Sequence, residues 1–390
     1  MSWIACQIGA REHYAIPRAL ERQGALGALV TDFWVPPGSV LGRMPSGQRL
    51  RDRWHGDLAA ANVVRLSRSM LPFELQQRIS KVSGWESIRR RNDLFQRKAL
   101  SRLRRLDLSG PDTPTLFSYS YAALELFRFA KAQGWRTVLG QIDPGPEEER
   151  IVEQERRRYA SIETSWQPAP KSYWESWKEE AKLADRIVVN SPWSKECLLK
   201  EGVKESKMEV IPLVYETSRD QKPEARRERR QGDPLRVLFL GQINLRKGAA
   251  RLIDTMRMLI DDPVELILAG PSELPEALWQ DLPKVSWIGP VPRSEVARYY
   301  QEADVFILPT LSDGYALTQL EALANGLPVL ASKHCGEAVI DGVNGWILQD
   351  LEPVTIAEKL REIASSPRPQ AWADSEFRLC DLAEALEGSL

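Results

Sequence analysis

The stretch DVFILPTLSDGYALTQLEALANGLPVLAS, residues 304–332, decides the fold. DVFILP is a continuous apolar run, the pattern of a strand covered on both faces. TLSDGY is the turn at its C-terminal end. Helical periodicity starts near Ala316 with Leu317, Leu320, Leu323 and Ala324, and Gly326 is a good stop. LPVLAS (327–332) is a second strand. Strand, helix, strand in this order is the unit of a parallel sheet. The turn and helix also place two acids, Asp313 and Glu321. The N–H groups around Gly314–Leu317 are expected to point into a cleft and, with the helix dipole, to form an anion site. Gly314 is expected to let a ligand approach the backbone closely. Asp313 has a plainer reading as an N-cap. Glu321 sits between Leu320 and Ala322 in a helix that reads as buried, so its carboxylate needs a partner. The vicinal hydroxyls of a sugar would serve, since a carboxylate accepts two hydrogen bonds from a diol.

The same alternation runs through the chain. LRVLFLG (235–241), VELILAG (264–270) and VSWIG (285–289) read as strands, with helices over 249–260, 294–303 and 354–364. Before them, SWIACQI (2–8), GALVTD (27–32), NVVRL (62–66), TLFSYS (115–120), RTVLGQI (136–142), DRIVVN (185–190) and MEVIPL (208–213) read as strands. YETSRDQKPEARRERRQGDP (215–234) is charged and poor in large apolar residues, the best linker. With 390 residues the chain has room for two cores. The expected fold class is α/β, with an N-terminal domain over 1–214, the linker 215–234 and a second domain over 235–371. A last helix, about 372–390, follows the break SSPRPQ and is expected to pack back on the first domain. Ligands in such folds bind between domains and at strand C-terminal ends.

Composition excludes several classes. The net charge of −1 gives no overall bias toward polyanions. Cys6, Cys197, Cys335 and Cys380 form no metal-ligand spacing and read as reduced thiols of a cytoplasmic protein. MSWIACQIGARE has no basic n-region and reads as a first strand, not a signal peptide. No window reaches the roughly 18–20 apolar residues of a membrane span. No Asp-x-Asp stands at a strand end, so no metal is expected.

Two further loops carry polar groups at strand C-termini. In FLGQINLRKGAARL (239–252) a strand ends at Gly241, Arg246 and Lys247 follow, and Gly248 opens a helix. Cations at a helix N-terminus oppose the dipole, and an anionic ligand would explain them; solvated surface cations are the alternative. The glycine spacing is not a Walker loop. In QIGAREHY (7–14) a strand leads through Gly9 and Ala10 into a helix, and His13 is one of three histidines, with His55 and His334.

In combination, LADRIVVNSPWSKECLLKEGVKESKMEVIPLVYE (183–216), VLFLGQINLRKG (237–248), SDGYALTQLEALANGLPVLAS (312–332) and DGVNGWIL (341–348) resemble the GT-B glycosyltransferases, specifically the retaining, nucleotide-sugar-dependent family 4. The resemblance covers nearly the whole chain and is strongest over 185–348. It implies two Rossmann-like domains facing across a cleft. It implies that Glu321 binds the ribose hydroxyls and that Asp313 faces the donor sugar. Lys247 would pair with the diphosphate, Gly9 and Ala10 would approach it from the first domain, and the N–H groups of Tyr315, Ala316 and Leu317 would complete the cradle, with Gly314 in the turn. The family has Glu where Asp313 stands and Arg where Gln242 stands; Arg246 is the residue that could supply the missing charge. The family's histidine near the fourth strand is replaced by Ser118, Tyr119 and Ser120 in FSYSYAA, which leaves His13 and Asp143 (in QIDPGP) as the candidate catalytic groups from the first domain.

The implied activity is metal-independent, retaining transfer of a sugar from a nucleotide-sugar donor to a glycan, lipid-linked or small-molecule acceptor. Because Gln242 and Asp313 depart from the pattern, a non-catalytic nucleotide-sugar-binding subunit of a glycosylation complex is the rival. Between residues 48 and 106 basic residues outnumber acidic ones by about three to one. SIRRRNDLFQRKALSRLRRL (87–106) interleaves them with Ile88, Leu94, Phe95, Leu100 and Leu103. Two readings stay open: a helix on an anionic membrane surface, or a solvated face over a buried stripe. No nucleic-acid-binding module accompanies the charge.

Overall fold

A computed structural model describes residues 2–39, 42, 50, 52–106, 113–215, 229–230, 232–366 and 379–388. The first sheet holds β1 (Trp3–Gln7), β2 (Leu26–Thr31), β3 (Val63–Arg65), β4 (Thr115–Tyr119), β5 (Arg136–Gln141), β6 (Arg186–Val189) and β7 (Met208–Val210). Their order is β3-β2-β1-β4-β5-β6-β7, every pair parallel. Helices α1 (Ala15–Arg22), α2 (Ser67–Ile79), α3 (Gly84–Leu103), α4 (Leu124–Ala132), α5 (Pro146–Arg158), α6 (Lys171–Leu183) and α7 (Pro192–Lys200) lie between the strands.

The second sheet holds β8 (Leu235–Leu240), β9 (Val264–Ala269), β10 (Val285–Gly289), β11 (Val305–Leu308), β12 (Val329–Ser332) and β13 (Gly345–Leu348), in the order β10-β9-β8-β11-β12-β13. These pairs are parallel too. Its helices are α8 (Ala249–Met258), α9 (Val296–Glu302), α10 (Leu317–Ala324) and α11 (Pro353–Ser365), and α12 (Leu379–Gly388) closes the described chain. In both sheets the order reverses beside the first strand. The crevices between β1 and β4, and between β8 and β11, are therefore where a ligand is expected in a doubly wound sheet.

Three details differ from the sequence reading. DGVNGWIL, which the family resemblance reads as a glycine turn, also forms a strand: its second half is the edge strand β13, registered from Val329↔Gly345 to Ser332↔Leu348. Four residues behind a glycine carry too little periodicity to announce a strand; pairing with β12 makes it one. Asp313 does not cap α10, whose N-cap is Ala316 at φ 62°, with no side-chain cap. Of the linker 215–234, residues 216–228 and 231 lie outside the described residues.

Leu379, Leu382, Ala383 and Leu386 of α12 share a core with Ala15, Ile16, Ala19 and Leu20 of α1, so the chain returns to cover the first sheet. Helix α5 of the first domain docks on the second. Glu155 accepts both forks of Arg251 from α8 at 2.6 Å, and Tyr159 donates to Asp254 at 2.8 Å. Ile151, Tyr159 and Ile162 pack against the second domain's core. The basic helix α3 spends most of its apolar residues inward. Phe95 and Leu103 are buried in the first core, and Leu94 and Leu100 pack against it. Ile88 is exposed, as are Leu71, Leu75 and Ile79 along one face of α2.

Candidate functional site at the interdomain cleft

The loops after β8 and β11 meet because their strands are neighbours. Gly248, at φ +72°, stands where a Cβ would strike the carbonyl of Pro309, so only glycine lets the first loop press against the second. Lys247 Nζ thereby forms a close ion pair with Asp313 Oδ2, both side chains being 14% exposed. Arg246 Nη1 lies 3.6 Å from the same carboxylate, 3.5 Å from Glu148 of the first domain, and donates to Ser312 O at 3.1 Å. Burial raises the Asp313 pKa, but Lys247 and Arg246 outweigh it and hold the carboxyl below its usual range. Beyond the pair, the N–H groups of Tyr315, Ala316 and Leu317 find no protein acceptor among the described residues. They stand at the start of α10, where the helix dipole favours an anion.

The turn at Gly314 is covered by the first domain. Ser191 Oγ donates to Gly314 O at 2.6 Å, and Trp193 Nε1 donates to Ser312 Oγ at 3.1 Å. A Cβ at Gly314 would meet Ile142 O at 2.5 Å and Asn190 Nδ2 at 2.7 Å. The close approach expected of a ligand is thus made by the neighbouring domain, and this glycine serves the interdomain seam.

Glu321, half-buried on α10, accepts from Tyr300 OH at 3.1 Å, and burial raises its pKa. Among the described residues no protein group donates to its other oxygen, which leaves room for a diol. Near it the domains touch again: Arg293 Nη2 donates to His13 Nε2 at 2.7 Å. Burial, then the Arg293 charge, lower His13 to about 4, so the ring is neutral and accepts. His13 belongs to a strained loop, with Glu12, His13 and Tyr14 at φ 50°, 52° and 61°. Left-handed non-glycine residues in a row need surrounding structure to hold them. Burial also pushes Glu12 up to about 7.

Gly9 donates its N–H to Asp32 Oδ1 at 2.9 Å, so that group is already committed. Ala10 sits next to it and accepts from His13 N at 3.1 Å. Gln242 is exposed and turns to Glu273, away from the Lys247–Asp313 pair. Asp143 accepts from Tyr121 OH at 2.5 Å and from Gly145 N at 2.9 Å, and burial raises its pKa. It lines a cavity of about 220 Å³ between the domains, together with Glu148 and Arg246. Among the described residues no cluster of three or more His, Cys, Asp or Glu side chains is disposed to hold a metal ion.

Residues 234–366, which carry Lys247, Asp313 and Glu321, match the family model "Glycosyl transferases group 1". The D-inositol 3-phosphate glycosyltransferase of Thermobifida fusca is 30% identical over 212 residues, 48% of each chain. The whole fold superposes on Anabaena Alr3699/HepE, solved in complex with UDP and glucose, with a TM-score of 0.60 at 16% identity, covering 100% of this chain and 99% of that one. It also superposes on a sucrose-phosphate synthase from Thermosynechococcus elongatus, with a TM-score of 0.61 at 16% identity, covering 100% and 94%. The chain has the GT-B fold of these structures, and its residues 234–366 fall within the glycosyl transferases group 1 model. It spans about half the length of the curated relative above.

Within this GT-B chain the structure brings Arg246, Lys247, Asp313 and the start of α10 together, with Glu321 further along the same helix. It brings Asp143 to the opposite wall and His13 to the second interdomain contact. Glu148, Tyr121 and Arg293 also belong to the cleft, and the sequence alone does not point to them. Glu148 stands in PGPEEER, where three acids at a helix start read as ordinary dipole partners. Tyr121 had one available signal, its place at the end of an apolar strand. Arg293 had none, since its partner lies 280 residues away.

Proposed function

We propose that the chain moves a sugar from a nucleotide-sugar donor to a glycan, lipid-linked or small-molecule acceptor, with retention at the anomeric carbon and without a metal. The observation that carries this reading is the Lys247–Asp313 pair, with Arg246 beside it, at the opening of α10. A leaving diphosphate gains charge as the glycosidic bond breaks toward an oxocarbenium-like state. Lys247, Arg246 and the N–H groups of Tyr315, Ala316 and Leu317 would stabilise that charge from fixed positions. Asp313, released from Lys247 by the incoming diphosphate, would accept hydroxyls of the donor sugar. Glu321 would hold the ribose. The departing phosphate oxygen would take the proton of the attacking hydroxyl on the same face, so no protein nucleophile is needed. From the first domain, Ala10 and His13 border the nucleotide side and Asp143 the acceptor side. Closure of the domains would exclude water.

The test uses UDP-glucose first, because a structural neighbour was solved with UDP and glucose, and then other nucleotide sugars. Slow release of nucleoside diphosphate in EDTA is the expected result. Thermal stabilisation by the donor without any turnover would favour the rival, a binding subunit. No stabilisation by any nucleotide sugar would overturn both.

A second partner is an anionic membrane, which would hold the protein at the cytoplasmic surface. Leu71, Leu75, Ile79 and Ile88 are exposed beside the exposed Arg78, Lys81, Arg89 and Arg90. Apolar side chains rimmed by cations suit a charged lipid surface. Flotation with anionic but not neutral liposomes is expected; equal recovery with both would sink this part. No helix among the described residues is long and apolar enough to cross a membrane.

A further inference from the structure

The cavity beside Asp143 is lined by aromatic rings from three segments of the first domain. Tyr121, after β4, stacks on Tyr173 of α6 with centroids 4.8 Å apart at 20°. Trp85 of α3 lies 4.9 Å from Tyr173, and Trp174 lies 5.3 Å from it, edge-on. Tyr121 is held in a left-handed conformation, φ 75°. Four bonds fix it there: its N–H donates to Glu180 Oε2 at 2.7 Å, its carbonyl accepts from Asn92 at 2.9 Å, and its hydroxyl donates to Asp143 at 2.5 Å and accepts from Gln141 Nε2 at 3.3 Å. Trp174 Nε1 is anchored on Glu149 at 3.2 Å. A strained aromatic residue fixed from three sides marks a site held in readiness for a ligand.

Two polar atoms in this cavity are buried without a hydrogen-bond partner: Thr164 Oγ1, and Glu148 Oε2, which faces the Arg246 guanidinium 3.5 Å away. Buried polar atoms left unpaired in a native fold call for an occupant. Aromatic faces want an apolar surface, and the two oxygens without hydrogen bonds want hydroxyl or amide hydrogens. A pyranose ring offers both, a C–H face and equatorial hydroxyls. A fatty chain would leave the carboxylates unpaired in an apolar surround. An acidic group would meet Asp143, Glu148 and Glu149 with Arg246 as its single cation on this lining. We propose that the cavity is a subsite for one uncharged sugar ring, stacked on the Tyr121–Tyr173–Trp174 cluster and hydrogen-bonded to Glu148 and Thr164. Its place in the reaction, as the acceptor ring, rests on the glycosyltransferase reading above. Arg246 touches Glu148 on this side and Asp313 on the other, which sets the ring beside the proposed diphosphate seat.

The binding test needs no donor. Saturation-transfer NMR on the full chain uses the methyl glycosides of glucose, galactose, mannose and N-acetylglucosamine, with methyl glucuronide and tetramethylammonium as charged counter-probes. At least one neutral glycoside is expected to bind, with the strongest transfer on its axial C–H protons. Trp174→Ala should weaken that binding about tenfold. Thr164→Val, which keeps the shape, should weaken it several-fold and covers the case in which the tryptophan variant does not fold. Binding by the charged probes alone, no binding by any neutral glycoside, or binding that both folded variants leave unchanged would overturn the subsite. The acceptor role is read separately, from nucleoside diphosphate release by the unaltered protein. If donor turnover occurs and the bound glycoside does not raise it, the ring is not the acceptor. If no donor turns over at all, the glycosyltransferase reading fails, while the NMR result still decides the subsite.

Discussion

Lys247 and Asp313 satisfy each other across the crevice between β8 and β11, a cation from one loop and a carboxylate from the next. In the proposed function an incoming diphosphate would take the lysine, and the carboxylate would turn to the sugar. Lys247→Ala is therefore expected to lower transfer by about two orders of magnitude, the scale of removing one preorganised charge partner at a leaving group. Asp313 keeps Arg246 at 3.6 Å, so the fold should hold. Product formation and thermal unfolding, measured on the same preparation, check both halves. Wild-type turnover in this variant would remove the basis of the proposed function.

Glu321→Gln tests the ribose clamp. Tyr300 keeps an oxygen to donate to, so stability should change little. A hydrogen bond to a charged group contributes about 1.5–3 kcal/mol, so affinity for the nucleoside diphosphate should fall about tenfold or more. Calorimetric titration gives the number. Unchanged affinity would place the nucleotide elsewhere.

The bidentate Arg251–Glu155 pair joins the domains, with Glu155 almost fully buried. Arg251→Met strands that carboxylate and should cost about 3 kcal/mol. Adding Glu155→Leu should recover most of the loss, because it removes the unpaired charge. Equilibrium denaturation of the single and double variants decides this, and a double variant no better than the single one would contradict it.

Burial pushes Glu148 up to about 8 in the fold, against about 4.3 in an unfolded chain. The folded state thus binds this proton more tightly. The contribution to stability is complete below about pH 4.3 and is lost as pH rises through about 8. Glu148→Gln has no such proton. The melting temperature of the wild type, relative to this variant, should fall by roughly 3 °C or more between pH 5 and pH 8. Parallel melting curves across that range would mean that Glu148 is not buried as a titrating group.

Much of the frame was legible because it is local. Strands such as Val305–Leu308 and Leu235–Leu240 are short apolar runs whose composition suits burial on both faces. Lys247 and Glu321 were legible as charges in places where charge needs a partner. β13 was not legible, because its pairing with β12 and not its own pattern makes it a strand. The role of Gly314 was not legible either: what approaches it is Asn190 and Ile142, from another domain.

By itself the sequence determined the succession of elements and the residue types at each strand end. These follow from periodicity and from the preferences of glycine, lysine and carboxylate within a few residues. Only the tertiary structure decided which of those ends meet. It set Arg246 between Glu148 and Asp313, His13 against Arg293, and three aromatic segments around one cavity. The reason is physical: a charge or ring buried between two domains takes its properties from whatever surrounds it, and those neighbours lie far away along the chain.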